Sequence, residues 1–472
     1  MLVVATFGIP ILGSLLALLA DRISAFLRNA VAVLILLVTL GCVIALIPMA
    51  SEGHVVYLGV SSVPGYMFSF VIDGLAIFVA AMSAVIGLMI VTYSIGYMRG
   101  YANLGEYYFL VVLFLGAMMG LVLSDNLLLI YTFWEITAIC SWRLIGFYRD
   151  PEHLQNADTA LMMTVTGSFF MLIGIEMIWR EVGSLSVSVI HGHTISDLAM
   201  FFIFVGILAK SAQVPLQIWL PSAGVAPSPV TALLHAAVLV VIGVFAFARI
   251  FIGAFNLPVN WQNITFIVAV TTILVASGAA YVEYNAKRIL AYSTLGQLAY
   301  VYLGFATMTT LGIVGALLYL LAHSFAKAGM FLCIGIIERQ THTKDIRELS
   351  GFAHSMRATA LAFLLCALTI IGFPPSAGFI GKLMIIFGAL ESGNFVFAGL
   401  AVLGAVLTIA YTLRLYNSVF LGALPARWKD VKEGTPGMVL VVMVFAILSL
   451  LTGLFVSPLL GAVNLLVAQI MR

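Results

Sequence analysis

The chain has 472 residues, of which 63% are hydrophobic and 8% charged, and its formal net charge at pH 7 is +2. Repeated apolar runs of about 20 residues indicate an all-α integral membrane protein. This composition excludes a soluble domain and a basic nucleic-acid surface. It also excludes a transmembrane barrel, whose strands would alternate apolar and polar residues.

Fourteen transmembrane helices are predicted in chain order. They are expected at residues 2–20, 29–50, 72–97, 106–124, 127–147, 157–179, 197–221, 229–253, 264–282, 287–307, 310–337, 358–391, 396–421 and 437–466. The first is interpreted as a retained helix and not a signal peptide, because it lacks a basic leading region and a small-residue cleavage site. Residues 1–472 are therefore expected to form a single transmembrane domain in the cell membrane.

Lysine and arginine are distributed unequally between alternate loops. The odd-numbered loops and their flanks contain 13 of the 21 Lys and Arg residues, whereas the even-numbered loops, their flanks and the C-terminus contain only Arg180, Arg249 and Arg472. Cytoplasmic loops of membrane proteins carry an excess of positive residues. The odd-numbered loops are therefore expected in the cytoplasm, and both termini on the outer face.

Proline interrupts the seventh and twelfth predicted helices, and each of these helices also carries a lysine. Lys210 precedes Pro215 in the seventh helix, and Pro374 and Pro375 precede Lys382 in the twelfth. Proline removes a backbone donor and clashes with the preceding turn, so both helices are expected to be broken. Irregular backbone at membrane depth is tolerated only inside the protein or beside water.

Paired interruptions in corresponding helices are typical of inverted repeats in transporters. Here the two five-helix repeats would be residues 106–253 and 264–421. An odd number of helices in each repeat would give the two units opposite orientations in the membrane. The alternative is a pair of ordinary proline kinks.

Six ionisable side chains lie inside predicted helices, where a charge is costly and usually marks an ion or proton path. They are Glu135, Lys210, His235, His323, Lys327 and Lys382. One acid with several bases indicates a proton relay, in which Lys210 and Lys382 would be the central switches.

The expected roles differ among these six residues. Lys210 is the expected partner of Glu135, and the alternative is a static structural ion pair. His323 and Lys327 are four residues apart and share a helix face. His235 titrates in a range useful for proton transfer, although a lone membrane histidine is also a common packing residue.

Two arginines within the predicted helices are weaker candidates. Arg143 and Arg414 lie in the expected cytoplasmic halves of their helices, where a long side chain can extend to the interface. Contact with Asp158 is the alternative for Arg143.

No cofactor or metal site is predicted. Cys42, Cys140, Cys333 and Cys366 are far apart and show no paired spacing, so an iron–sulfur cluster or zinc site is not expected. His323 has no second ligand at a suitable spacing in its helix. No flavin, haem, cluster or nucleotide motif supports direct redox chemistry.

Six motifs surround the candidate residues. They are Phe133-Trp-Glu135, Ala209–Pro221, Ala226–His235, Lys287–Thr294, His323-Ser-Phe-Ala-Lys327 and Phe373–Lys382. In this order they resemble the antiporter-like subunits shared by Mrp sodium/proton antiporters, respiratory complex I and membrane-bound group 4 hydrogenases. The resemblance implies fourteen helices with two inverted five-helix repeats, and a proton path along the membrane midplane formed by the matching glutamate and lysines.

The chain departs from this family's pattern at several points. Ser222 follows Trp-Leu-Pro where the family often has an acidic residue, and Val241 lies near a position where many members carry lysine. That lysine's role would then fall to His235. The chain ends soon after the last predicted helix, without the long lateral helix of the terminal complex I subunit, which favours an Mrp-like or hydrogenase-type module.

The sequence therefore predicts a proton-translocating, antiporter-like subunit of a multi-subunit membrane complex. The complex would be an antiporter or an ion-pumping oxidoreductase, and this subunit would carry no redox centre of its own. Partners would be other membrane subunits, with protons as the transported ion and sodium moving by another route or through another component. The alternatives are a non-transporting scaffold role and direct action as an oxidoreductase.

Overall fold

The computed structural model describes residues 1–51, 56–63, 66–236 and 238–471. The helices up to the first interruption are α1 (Leu2–Asp21), α2 (Ala25–Ser51), α3 (Gly74–Tyr97), α4 (Leu104–Val122), α5 (Leu127–Ile145), α6 (Pro151–Val182), α7 (Val187–Ile190) and α8 (Asp197–Lys210). Those that follow are α9 (Trp219–Ser222), α10 (Ser228–Ala236), α11 (Leu239–Ala246), α12 (Val259–Val282), α13 (Ala286–Ala306), α14 (Thr310–Thr341), α15 (Arg357–Ile371), α16 (Ala377–Glu391), α17 (Phe395–Phe420), α18 (Pro436–Leu454) and α19 (Val456–Ile470). Arg472, and residue 237 of the predicted eighth helix, lie outside the described residues.

Twelve helices in the described part of the chain are long and apolar enough to cross a membrane. One of them, Ser228–Ile252, combines α10, α11 and a π-helical stretch at Phe247–Ile252. These twelve coincide with twelve of the predicted helices. The other two predicted helices are the seventh and the twelfth, which the structure divides into α8 and α9 and into α15 and α16. The chain is thus a helical, multi-pass membrane protein.

Both interruptions occur at the predicted prolines. α8 ends at Lys210, and residues 211–218 separate it from α9. Gly372, with φ +83°, follows the last residue of α15, and the Ser376 side chain accepts a hydrogen bond from Phe379 at the start of α16. The two breaks contain the cis peptide bonds Val214–Pro215 and Pro374–Pro375.

A β-hairpin between α2 and α3 was not predicted from the sequence. Strand β1 (Val56–Val63) pairs antiparallel with β2 (Tyr66–Ile72), and Val56 lies opposite Ile72. Asp73 follows the hairpin and caps α3 by accepting a hydrogen bond from the Ala76 backbone. A search for apolar runs of about 20 residues overlooks strands of this length.

The last predicted helix is divided in the structure. Phe455 lies between α18 and α19 with φ −105° and ψ 40°, which is outside the helical region. Pro458 lies in the first turn of α19. Backbone N–H groups in a first turn have no intrahelical acceptor, so proline costs no helical hydrogen bond there. Uniform apolarity through this region concealed the boundary in the sequence.

The centre of the fold is formed by helices that bury all their faces. The most apolar windows of α14 and of the Ser228–Ile252 span are 100% buried, and that of α13 is 94% buried. The corresponding windows of α1, α2 and α17 are only 33% buried, so these helices lie at the periphery. His235 on α10, and His323 and Lys327 on α14, are therefore enclosed by protein.

Candidate ion-translocation site

Lys210 lies at the end of α8 and is completely buried. Its ammonium donates a hydrogen bond to the carbonyl oxygen of Trp134 at 3.0 Å and lies 5.2 Å from the centre of the Trp134 ring. The interruption after α8 leaves the lysine at a helix end, where its side chain reaches α5. The first proline break therefore positions the first buried lysine.

Glu135 is adjacent to the residue that Lys210 contacts. It is half-buried on α5 and interacts electrostatically with Lys210, but among the described residues the two do not form an ion pair. Its Oε1 atom is buried without a hydrogen-bond partner in the described part of the protein. The two residues predicted to be partners are therefore neighbours, and the direct contact of the lysine is a backbone carbonyl.

His235 is fully buried on α10. Its ring packs against Phe331, with a centroid distance of 4.7 Å, and neither ring nitrogen has a hydrogen-bond partner among the described residues. Lys327 and Lys287 both act on it electrostatically. The histidine therefore faces positive charge from two neighbouring helices, α13 and α14.

His323 and Lys327 share a face of α14, as their spacing predicts, and both are fully buried. The Lys327 ammonium donates to the carbonyl oxygen of Leu290 on α13 at 3.1 Å. His323 lies near the backbone of His235, and Lys382 also acts on it electrostatically. Electrostatic interactions of His323 and Lys327 on α14 thus reach His235 on α10 and Lys382 on α16.

Lys382 lies on α16, just after the second helix break, and is 5% exposed. Its ammonium donates to the carbonyl oxygen of Ile370 at 2.8 Å, in the last turn of α15. Carbonyls at a helix C-terminus lack intrahelical donors and carry the negative end of the helix dipole. The break thus supplies the acceptor for the second lysine.

A buried polar network surrounds Lys382 and was not predicted. The rings of Tyr300 and Tyr319 flank its ammonium at 4.9 and 5.3 Å from their centroids. Tyr319 donates to the Oε1 atom of Gln297, and the Gln297 amide donates to Tyr411 at 2.9 Å. Tyrosine is common in apolar helices, so the sequence did not indicate that these hydroxyl groups form a hydrogen-bond network.

The six predicted residues form two groups. Glu135 and Lys210 make one, on α5 and α8. His235, His323, Lys327 and Lys382 make the other, on α10, α14 and α16.

Sequence reasoning missed a buried ion pair near the odd-numbered loops. Lys287 Nζ lies 2.6 Å from the Glu338 carboxylate, and the side chains are 1% and 14% exposed. Lys287 is the first residue of a predicted helix, and Glu338 lies one residue beyond the predicted end of another. Residues at helix ends are usually near solvent, so their positions gave no sign of burial or of pairing.

Among the ion pairs and hydrogen bonds of the described residues, Arg143 has none with Asp158, the alternative considered from the sequence. It pairs with Glu106, which also accepts a hydrogen bond from Arg149 at 2.5 Å. Asp158 instead accepts from the Trp142 indole at 2.8 Å. Arg414 donates to the carbonyl oxygens of Tyr281 and Glu283 at the end of α12, both at 2.7 Å.

A second polar region lies at the opposite end of the protein. Arg249 pairs with Asp73, and both side chains are about nine-tenths buried. Asp125 accepts hydrogen bonds from the side chains of Ser69, Ser186 and Ser188. Asp73, Asp125, Ser188 and Arg249 line a cavity of about 260 Å³. In the described part of the chain no group of His, Cys, Asp and Glu has the arrangement of a metal site.

Comparison with known protein families finds two matches. The family described as "NADH:quinone oxidoreductase/Mrp antiporter, TM" matches residues 124–408. The family described as "NADH-Ubiquinone oxidoreductase (complex I), chain 5 N-terminus" matches residues 65–108.

Three curated relatives illustrate the range of similar proteins. The A/B component of a probable K(+)/H(+) antiporter of Rhizobium meliloti is 32% identical over 89% of this chain and 43% of its own length. The A1 component of a Na(+)/H(+) antiporter of Staphylococcus haemolyticus is 32% identical over 87% of this chain and 56% of its own. The L component of NADH-quinone oxidoreductase of Escherichia coli is 35% identical over 83% of this chain and 65% of its own. The chain thus spans less than two thirds of the length of each of these relatives.

Two solved structures share the fold. A chain of the Mrp complex from a Dietzia species superimposes with a TM-score of 0.89, at 22% identity, covering 100% of this chain and 98% of that one. A chain of the membrane-bound sulfane sulfur reductase, an archaeal respiratory membrane complex, gives a TM-score of 0.91 at 22% identity, with the same coverage.

Proposed function

Because this chain belongs to the NADH:quinone oxidoreductase/Mrp antiporter family of membrane subunits, we propose that it translocates protons within a multi-subunit membrane complex. The proton path would run through Glu135, Lys210, His235, His323, Lys327 and Lys382. Lys210 and Lys382, each beside a helix break, are the switches of this path.

One observation carries the proposal. Lys210, Lys327 and Lys382 are all buried, each donates to a single backbone carbonyl, and none forms an ion pair with a carboxylate among the described residues. An ammonium has three donors, and burying it without a counter-charge is costly. This cost brings the charged and neutral forms of each amine closer in free energy, so a neighbouring charge can shift the balance between them.

The neighbouring charges supply such a coupling. Glu135 interacts electrostatically with Lys210, and Lys327 and Lys382 both interact electrostatically with His323. A proton that arrives at one group therefore favours release from the next. Water bridges would connect groups that have no direct contact, since buried polar atoms such as the His235 nitrogens need partners.

The finer architecture belongs to the same proposal. We infer fourteen transmembrane helices, with α8–α9 and α15–α16 as the broken ones, and inverted five-helix repeats at residues 106–253 and 264–421. The similar positions of the two breaks within the two units support this arrangement. Both termini would lie on the outer face.

The partners follow from the relatives. Proteins named as Na(+)/H(+) and K(+)/H(+) antiporter subunits, and the fold shared with chains of an Mrp complex and a respiratory complex, support assembly with other membrane subunits. A protonated lysine cannot ligate sodium or potassium. Any such ion would therefore use another route or another component of the complex.

The proposal is tested in vesicles that contain the assembled complex, with proton flux driven by an imposed sodium or potassium gradient and read by a pH-sensitive dye. Lys210→Gln and Glu135→Gln are expected to lower the flux by about a hundredfold, the scale of losing a positioned proton-transfer group. Assembly is measured on the same samples. Lys432→Gln, at a lysine in an odd-numbered loop outside the proposed path, is the matched control and retains the flux.

Lost flux with normal assembly supports the relay. Unchanged flux in both Lys210→Gln and Glu135→Gln would overturn it. Loss of assembly in proportion to flux would instead favour a scaffold role for these side chains.

A further inference from the structure

The buried ion pair near the odd-numbered loops belongs to a larger group, the Glu338 cluster, defined as Glu338, Lys287, Lys344, Ser228 and Tyr97. Lys287 and Lys344 approach the carboxylate at 2.6 and 3.3 Å. Ser228 and Tyr97 donate hydrogen bonds to it at 2.6 and 3.3 Å. Four helices and one loop therefore converge on a single carboxylate.

One side of the Glu338 cluster is accessible to solvent, and the other side is buried in the protein. Lys344 is 28% exposed, Glu338 is 14% exposed and Lys287 is 1% exposed. The carboxylate thus lies between a lysine in contact with the surface and a lysine enclosed by the protein. A proton arriving from the surface meets Glu338 before Lys287.

A shared backbone acceptor provides a structural connection inward from Lys287 to Thr231. The carbonyl oxygen of Ala226 accepts from the Lys287 ammonium at 2.9 Å and from the Thr231 hydroxyl at 3.1 Å. Ser228, Thr231 and His235 are spaced by three and four residues on α10, so they share one face of this helix. Lys287 also acts electrostatically on His235.

The far end of this connection is able to accept a proton. Both ring nitrogens of His235 lack hydrogen-bond partners among the described residues, so one of them can receive a proton from Lys287 through bridging water. The Thr231 hydroxyl, which donates to the Ala226 carbonyl, can accept a hydrogen bond from such a water and so orient it. His235 in turn lies beside the His323 and Lys327 group. The face of α10 therefore joins the Glu338 cluster to the proposed relay.

We propose that Glu338 and Lys287 form the proton-uptake site on the side of the odd-numbered loops and deliver protons to His235. This inference rests on the proposed function. The Lys287 ammonium gives a proton inward, and a neutral His235 nitrogen becomes protonated. The Glu338 carboxylate then takes a proton from solvent on the Lys344 side and passes it to the neutral amine left at Lys287, which restores the ion pair.

The alternative role for the cluster is purely structural, because the ion pair also joins α13 to α14. Three variants separate the two roles. Glu338→Gln removes the titrating group and retains an acceptor for Ser228. Glu338→Gln with Lys287→Met avoids leaving a buried lysine without its counter-charge. Glu338→Asp retains the acid.

A matched control is available at Glu433, another carboxylate near an odd-numbered loop. It accepts hydrogen bonds from the backbone of Ala358 and the side chain of Thr359 at 2.7 and 2.6 Å, at the start of α15. Among the described residues, Glu433 makes no hydrogen bond with Ser228, Thr231 or His235 on α10. Glu433→Gln is therefore expected to leave proton flux unchanged.

The experiment measures proton flux in vesicles that contain the assembled complex, with and without added formate. Formate is a small weak acid that can carry protons to an opening that has lost its own acid. Glu338→Gln and the double variant are expected to lower flux by roughly a hundredfold with normal assembly. Glu338→Asp is expected to retain most of the flux, and formate to restore part of it in Glu338→Gln.

Three other results would contradict the proposal, each in a different way. Wild-type flux in Glu338→Gln, with flux lost in Lys210→Gln, would overturn the uptake site and leave the central relay intact. Lost flux that neither formate nor aspartate restores would show a structural ion pair. Wild-type flux in both Glu338→Gln and Lys210→Gln would remove the proposed function itself.

Discussion

Lys382 shows how the protein accommodates a buried cation without a carboxylate. A desolvated cation over an aromatic ring gains about 2 kcal/mol, and Lys382 lies over the rings of Tyr300 and Tyr319. A hydrogen bond to a charged donor contributes roughly 1.5–3 kcal/mol, and Lys382 makes one to Ile370. The desolvation cost of an ammonium is several kcal/mol even after relaxation. The desolvation cost of the Lys382 ammonium is similar in size to the stabilisation from the tyrosine rings and the Ile370 carbonyl. Both the ammonium and the neutral amine are therefore energetically accessible.

The pair formed by Asp73 and Arg249 behaves differently, because each charge has its counter-charge. We expect Asp73→Asn to destabilise the protein by about 3–5 kcal/mol, since it removes the counter-charge that Asp73 supplies to the buried guanidinium of Arg249. The double variant Asp73→Asn with Arg249→Leu is expected to recover part of this loss. Thermal unfolding of the purified protein in detergent measures both.

The exposed pair Glu176 and Arg180 is the control for this prediction. Their side chains are 48% and 75% exposed, and Glu176→Gln is expected to change stability by only about 0.5 kcal/mol or less. Equal effects at the buried and exposed pairs would contradict the prediction.

The same buried pair, Asp73 and Arg249, makes stability depend on pH. Burial raises the pKa of Asp73, but the Arg249 charge and its hydrogen bonds hold the net pKa below the usual aspartate range. A lowered folded-state pKa stabilises the protein above the unfolded pKa, and this contribution is lost as pH falls through the folded value. We expect the unfolding temperature to drop below about pH 4 in the wild type, and to drop less in Asp73→Asn. Parallel pH curves for the two proteins would contradict this.

At the scale of elements, the second helix break depends on a close approach of two backbones. A Cβ atom at Gly378 would lie 1.9 Å from the carbonyl oxygen of Thr369, so only glycine allows α16 to pack against α15 at this point. Lys382 is one turn further along α16 and reaches the carbonyl of Ile370 on α15. The separation of the two half-helices therefore determines the position of the lysine.

We predict that Gly378→Ala displaces α16 from α15 and lowers both proton flux and thermal stability. The added methyl group cannot be accommodated by a side-chain movement, because the atom it meets belongs to the backbone. Gly399→Ala on α17 is the control, since nothing lies within 4 Å of its Cβ position, and alanine favours a helix over glycine. A Gly378→Ala protein with normal flux and stability would show that the break tolerates a wider separation.

At the scale of the whole molecule, polar clusters lie at both ends of the helices. The orientation of these ends in the membrane is inferred from the distribution of Lys and Arg between the loops. The excess of Lys and Arg in the odd-numbered loops predicts that the end with the Glu338 cluster faces the cytoplasm. The end with Asp73, Asp125 and Arg249 would then face outward. The proposed relay lies between the two ends.

Cysteine labelling in intact cells tests this orientation. His193→Cys, in an exposed even-numbered loop, is expected to react with a membrane-impermeant thiol reagent. Lys429→Cys, exposed in an odd-numbered loop, is expected to react only after permeabilisation. Three native cysteines are buried and Cys42 is half-buried, so the wild type gives the background. The reverse labelling pattern would invert the topology.

Much of the helical architecture could be predicted from the sequence. Apolar length, proline chemistry and the presence of a charge in an apolar run are local properties, so they located most helices, both breaks and the six candidate residues. The paired strands β1 and β2 and the division at Phe455 were not predicted, because the strands are short and the division lies in a uniformly apolar region.

Which charged groups meet depends on the packing of separate helices. Lys210 contacts the carbonyl of Trp134 and not the carboxylate of Glu135, because the end of α8 directs its side chain to the backbone of α5. Glu338 and Lys287 come from different helices, and nothing local in the sequence pairs them. The sequence by itself determined the helices and the residues that carry charge. Their partners depend on how separate helices pack, which is a property of the whole chain.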